Sequence, residues 1–128
     1  MNAKIRIVTL TEGRRSVYTA HALVNCSAQK ASVSYFQEGD RVTLHLTPAE
    51  LQMRREGRLR ADFIQGKKTV FEILCGGDEG PISIFTKVYT AHFAENVIRA
   101  ELIYTLDFGN GLQEFHLEIF IQSISEAS

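Results

Sequence analysis

The chain has 128 residues, with 14 Lys and Arg against 15 Asp and Glu, two Cys, no Trp and 45% hydrophobic residues. That length fits one domain, expected over residues 1–128, and a chain of about 130 residues buries roughly two-thirds of its unfolded surface. An ordinary apolar fraction and a net charge of −1 exclude a disordered chain, and two cysteines are too few for a disulfide scaffold.

Lys4 and Arg6 interrupt the apolar positions from Met1 to Leu10, so no signal-peptide core of about 7–15 apolar residues is present there. No run of about 18 apolar residues occurs, and no membrane partner is expected. Cys26 and Cys75 have no CxxC spacing and read as free, buried thiols of a cytoplasmic protein.

Turn signals recur along the chain, beginning with Glu12-Gly13, Asn25 to Lys30 and Glu38-Gly39-Asp40. Between them lie segments of about 6–12 residues that alternate in polarity and favour β-branched and aromatic types. Val42, Leu44 and Leu46 point one way; Thr43, His45 and Thr47 point the other. Thr47-Pro48-Ala49-Glu50 carries a helix-start pattern. Leu51 and Met53 follow it at a spacing of two, and Arg54 and Arg55 fall where a helix would bury them. A turn followed by a strand is the expectation. Ile82, Ile84 and Val88 form a further row, with Thr86 its polar member. Leu102, Tyr104, Leu106 and Phe108 form another, as do Phe115, Leu117, Ile119 and Ile121. Asn110-Gly111 predicts a two-residue hairpin turn between these last rows. Consecutive strands with one apolar face and short links predict an all-β, antiparallel up-and-down barrel of about 8–10 strands with little helix.

Residues 1–70 hold 12 Lys and Arg against six Asp and Glu, whereas residues 71–128 hold two against nine. In a barrel that follows chain order this makes one basic and one acidic wall. The basic cluster is densest at Arg54, Arg55, Arg58, Arg60, Lys67 and Lys68. It reads as a solvated pair of hairpins or as a surface for an anion or acidic partner, and complementary walls also suggest a homodimer. The acidic second half and a pI near 6.4 argue against nucleic acid as a partner.

His21, His45, His92 and His116 offer no His-x-His or HExxH spacing, and His45 and His116 lie opposite their apolar rows, facing outward. No metal is expected. Asp107-Phe108-Gly109 lacks every companion of the kinase motif it spells. The Gly-rich stretch from Gly76 to Pro81 lacks a phosphate-loop Lys and reads as a loop or a flap over a barrel mouth. With no nucleophile arrangement and no carboxylate pair sharing a cleft, the residues lean away from an enzyme, with no catalytic residue and no cofactor assigned.

Several short motifs occur in order: Val42-Thr43-Leu44-His45-Leu46, Leu51-Gln52-Met53-Arg54-Arg55-Glu56-Gly57, Phe63-Ile64-Gln65-Gly66, Gly80 to Thr86, Ile103-Tyr104-Thr105-Leu106 and Leu117-Glu118-Ile119. Their order resembles the YwiB-like family of small bacterial proteins. The resemblance covers about residues 3–121. It implies a calycin-like, lipocalin-like barrel with an arginine–glycine hairpin at Arg55 to Gly57, and it supplies no catalytic residue. The absence of Trp argues against lipocalins with their Gly-x-Trp signature and against Trp-walled biotin-binding barrels.

A barrel of this size holds either packed side chains or one small ligand. Tyr35, Met53, Phe63, Phe71, Ile84, Thr86, Tyr104 and Leu117 are the candidate interior residues. The hydroxyls of Tyr35, Thr86 and Tyr104 favour a small pocket, since buried hydroxyls need partners. The leading expectation is a small, partly apolar ligand, anionic in one version, bound by Tyr35, Phe63, Phe71, Thr86 and Tyr104 with Arg55 as anchor near the mouth. The alternative is a structural or interaction module with a filled core, docking an acidic partner or itself through the basic hairpins of residues 54–68. A cavity of roughly 300 Å³ or more separates the two.

Overall fold

Ten strands follow one another along the chain in a computed structural model that describes residues 1–73, 82–109 and 111–124. They are β1 (Asn2–Thr11), β2 (Arg14–Ser27), β3 (Lys30–Gln37), β4 (Asp40–Leu46), β5 (Glu50–Arg55), β6 (Leu59–Ile64), β7 (Lys68–Ile73), β8 (Ile82–Phe93), β9 (Val97–Asp107) and β10 (Leu112–Ser123). Each pairs antiparallel with its sequence neighbours, and β1 pairs with β10, so the sheet closes as an up-and-down barrel. The described residues contain no helix, and hence none long and apolar enough to cross a membrane.

The period-two pattern decides which side chains face inward. On β4, Val42, Leu44 and Leu46 are buried while Arg41 and His45 are exposed; on β10, Leu117, Ile119 and Ile121 take the buried positions. Leu51 on β5 and Leu102 on β9 are fully buried members of the same core. The strand reading after Thr47 holds. The Thr47 hydroxyl accepts hydrogen bonds from the backbone N–H groups of Ala49 (3.2 Å) and Glu50 (3.1 Å), which closes a side-chain turn where a helix would otherwise start.

Three expectations need correction. A β-bulge between Thr86 and Val88 inserts an extra residue opposite Tyr104 and Ile103. It reverses the phase of β8, so Val88 leaves the inner row and Tyr89 enters it, only 3% exposed. The turn between β9 and β10 lies one residue earlier than Asn110-Gly111, because Asp107 pairs directly with Leu112 and Phe108 N–H donates to the Gly111 carbonyl at 3.1 Å. The positive φ falls on Gly109 (+86°), whose N–H is accepted by Asp107 Oδ1 at 2.8 Å, and Phe108 stands exposed in this connection instead of extending its row. Asn110 itself lies outside the described residues. Cys26, finally, is exposed and free, since it occupies the outer end of β2; Cys75 lies outside the described residues, as does the Gly-rich stretch of residues 76–81.

Two ladders are incomplete. β2 pairs with β1 from Arg14 to Leu23, yet with β3 only through Leu23–Ser27. The rest of the β2–β3 boundary is a slit, bridged by the Tyr18 hydroxyl donating to the Phe36 carbonyl at 2.9 Å. β6 and β7 share only two ladder pairs, at Leu59 and Arg60. Beyond them the turn before β7 bonds to β8: Gly66 N–H donates to the Thr86 carbonyl at 2.8 Å, and the Gln65 side-chain oxygen accepts from Tyr89 N–H at 3.0 Å.

Candidate site at the barrel mouth

Glu12-Gly13, Glu38-Gly39 and residues 56–58, the connections that follow β1, β3 and β5, gather at one end of the barrel. A type I′ turn needs φ > 0 at both central residues, and Glu12 (50°) with Gly13 (74°) and Glu38 (51°) with Gly39 (85°) meet that requirement. These tight turns bring the ends of β1, β2, β3 and β5 to one rim. There the inward row changes from aliphatic to polar. Ile7, Val42, Met53, Leu59 and Leu117 form the floor of a cavity of about 270 Å³, and Thr9, Ser16, Tyr18, Tyr35, Gln37 and Arg55 form its upper wall.

Arg55 ends β5 in inward phase, with its side chain 20% exposed. Its Nε donates to Asp40 Oδ2 at 3.0 Å and one Nη2 hydrogen reaches the Gln37 carbonyl at 3.3 Å. Glu38 approaches at 3.7 Å but is 84% exposed, where solvent screens it. Asp40 also receives Arg58 Nε at 2.6 Å. One carboxylate thus serves two guanidinium groups, with Glu38 a second, exposed carboxylate beside Arg55. Among the described residues Arg55 Nη1 donates to no partner. The Tyr35 ring lies 5.9 Å from that of Tyr18. Burial, and next the neighbouring Tyr18, push the Tyr35 hydroxyl up to about 12, with Arg55 pulling the other way.

The six residues expected to form a site fall into two groups. Tyr35 and Arg55 meet at this mouth. Phe63, Thr86 and Tyr104 lie deeper. The Tyr104 ring is 4.8 Å from Phe63 and stacks on Phe115 at 5.2 Å, so aromatic packing fills this part of the interior. Burial pushes the Tyr104 hydroxyl up to about 12. Thr86 pairs with Tyr104 across β8 and β9, is 0% exposed, and its Oγ1 has no hydrogen-bond partner among the described residues. Phe71 packs half-buried against the core from β7. None of these four lines the mouth cavity.

Thr9, Ser16, Tyr18 and Gln37 were not anticipated as mouth residues. Their signal was present, however: each occupies the inward phase of its strand beside a hairpin, where a filled core would call for an apolar side chain. Tyr89 was also missed, because the bulge that turns it inward has no signature in the alternation. Its hydroxyl donates to the Thr47 carbonyl at 2.7 Å, and burial, with a smaller contribution from Glu50, raises its pKa.

The basic cluster is largely neutralised within itself. Arg54 bonds Asp62 at 2.8 Å, and Arg55 and Arg58 share Asp40. Arg60, Lys67 and Lys68 are exposed and form no ion pair among the described residues. All four histidines face outward, with His21, His45 and His92 exposed and His116 half-buried.

No family model matches the chain, and no curated protein matches it. Among solved structures, the ywiB protein from Bacillus subtilis aligns with a TM-score of 0.74 over 97% of this chain and 91% of that one, at 16% sequence identity. The chain is therefore similar in fold to that protein, and the order of its sequence motifs and the course of its backbone lead to the same barrel.

Proposed function

We propose that this barrel, calycin-like in its interior, binds a small, partly apolar ligand bearing a carboxylate or similar acidic group at the Arg55 mouth. The carrying observation is the inward-facing Arg55 with donors to spare, set above an apolar floor in a cavity of about 270 Å³. A guanidinium held in place by Asp40 and a backbone carbonyl is pre-oriented to take an anion through its remaining N–H groups. The Tyr35 hydroxyl, kept protonated by burial, supplies a further donor. The volume falls just under the roughly 300 Å³ of an ordinary ligand pocket, which limits the ligand to a short acid. The exposed thiol of Cys26 fits a reducing compartment such as the cytoplasm.

Native mass spectrometry on protein purified gently from its host, read against the denatured mass, tests this. A stoichiometric extra mass that is lost in Arg55→Gln supports the proposal. An extra mass that persists in Arg55→Gln moves the ligand elsewhere and refutes it. So does a bare protein that gains no mass with a panel of short aliphatic and aromatic carboxylic acids.

The packing of Phe63, Tyr104 and Phe115 favours a second reading, a filled interaction module. Its docking face would be Arg60, Lys67 and Lys68, exposed members of the cluster that form no ion pair among the described residues, against an acidic partner or the acidic wall of another copy. A bare dimer that dissociates with salt is its signature.

A further inference from the structure

On the outer face of β9 and β10 the register assembles three side chains that local spacing keeps apart. Glu101 and Glu118 are directly opposed in the β9–β10 ladder, and His116 is the next outward residue before Glu118. Like charges directly opposite one another destabilise a sheet. Among the described residues no Lys or Arg forms an ion pair with either carboxylate. A nearby guanidinium, that of Arg99, is stacked over the Phe120 ring at 5.3 Å. His116 Nε2 points between the two carboxylates, 3.9 Å from Glu101 Oε2 and 4.0 Å from Glu118 Oε1. Both distances are beyond hydrogen-bond range. That nitrogen is nonetheless shut off from solvent and has no hydrogen-bond partner among the described residues.

Both carboxylates reach solvent, with side chains 47% and 42% exposed, and apolar residues border the imidazole. Val8 of β1 stands opposite Glu118 and is only 5% exposed, Leu10 stands opposite His116, and Ile103 flanks His116 on β9. An opposed carboxylate pair with an occluded imidazole nitrogen between them is a donor set that suits a cation. One ligand atom from each residue lies within 4.8 Å of the others. A tetrahedral ion with bonds of about 2.0–2.2 Å holds its ligands about 3.5 Å apart, so modest side-chain rotations close the trio. Thr90, His92 and Arg99 join Glu101 and Glu118 in lining a shallow hollow of about 280 Å³ beside the two carboxylates.

We propose that Glu101, His116 and Glu118 form a binding site for a first-row divalent cation, with Zn²⁺ the ion best suited to one imidazole and two carboxylates, and with water completing its shell. This site is on the outside of the barrel and stands independently of the mouth. It departs from the expectation of no metal because its ligands come from two strands, where no local motif records them.

The test is Zn²⁺ titration of chelator-stripped protein, followed by isothermal calorimetry and by competition with a chromogenic chelator. One saturable Zn²⁺ per chain is expected, together with a higher melting temperature. His116→Ala and Glu101→Gln should each weaken binding by more than the roughly 10–100-fold that loss of a supporting residue costs, and His45→Ala should leave it unchanged. In metal-free protein Glu101→Gln should melt no lower than wild type, because it relieves the repulsion with Glu118; this separates loss of a ligand from loss of the fold. Absence of saturable binding by wild type at submillimolar Zn²⁺ overturns the site. Binding that survives both substitutions overturns it as well.

Discussion

Replacing Thr86 by Val should make the protein more stable. The side chain is 0% exposed, and Oγ1 has no partner among the described residues, although the Thr86 backbone is bonded on both sides, to Gly66 and to Lys67. Val keeps the β-branch, the volume and the strand preference, so the substitution removes a hydroxyl and little else. Mutational data place the cost of burying an unpaired hydroxyl at about 1–3 kcal/mol. Some of that is offset by local relaxation beside the bulge, and a gain of about 1–2 kcal/mol is expected. With an unfolding entropy of about 2.1 cal/mol/K per residue, a chain of this length should melt about 4–7 °C higher. Urea unfolding followed by far-ultraviolet circular dichroism is the assay, since the chain has no Trp. An increased midpoint at constant slope is the expected result, and Thr86→Ala, which opens a void, should lower it. A loss of 1 kcal/mol or more in Thr86→Val at constant slope would refute the reasoning. It would mean that the native interior supplies the hydroxyl with a bound water or ligand, and the deep end of the barrel would return as a binding site.

Three further outcomes follow from the geometry. Tyr35 and Tyr104 titrate near 12 in the folded protein and near 10 when unfolded, and Tyr89 shifts the same way. Their stabilising contribution is therefore complete below about pH 10 and is lost as pH rises toward 12, by about 3 kcal/mol for the deeply buried Tyr35. Unfolding midpoints measured across that window should fall, and less steeply in Tyr35→Phe; a flat profile contradicts the assignment. Asp40→Asn should lower stability by about 1–3 kcal/mol in chemical denaturation by leaving the half-buried Arg55 without its counter-charge, while tightening any acid bound at the mouth. A parallel loss of both would show that Asp40 acts through orientation alone. Ala28 holds φ at +48° in the two-residue link between β2 and β3, where a glycine suffers no Cβ clash. Ala28→Gly should gain up to about 1 kcal/mol in thermal unfolding, and a loss would place the strain elsewhere.

The barrel was legible because its evidence is local: alternation on β4, β9 and β10 and glycine-bearing turns at Glu12-Gly13 and Glu38-Gly39 fix strands and neighbours without long-range information. Tyr35 was expected in the interior and Arg55 near the mouth, and that both line one cavity was not legible in the alternation. What escaped depends on register. A one-residue bulge at Thr86 exchanges Val88 for Tyr89, and no property of either residue announces it. The opposition of Glu101 and Glu118 depends on where within residues 108–111 the chain turns. Assuming a two-residue Asn110-Gly111 turn would have set that register wrongly. Deep placement of Thr86 and Tyr104 was read correctly as inward, but whether an inward hydroxyl meets a void or an aromatic ring is decided by packing from opposite strands.

Closure of the barrel has a kinetic side. Apart from one seam, every ladder joins strands consecutive in the chain, so each can form as a hairpin soon after collapse. The exception is β1 with β10, where Ala3 meets Ser123 and Leu10 meets His116. Bringing such distant segments together carries a loop-closure entropy that the hairpins between them largely remove as they assemble. The seam is then expected to zip last, after the curvature of the other strands has set its two edges side by side. Until it does, both edges present unpaired backbone groups, and the folding chain is open to joining a second molecule by strand exchange. High protein concentration during refolding should therefore favour swapped dimers whose exchanged element is β1 or β10.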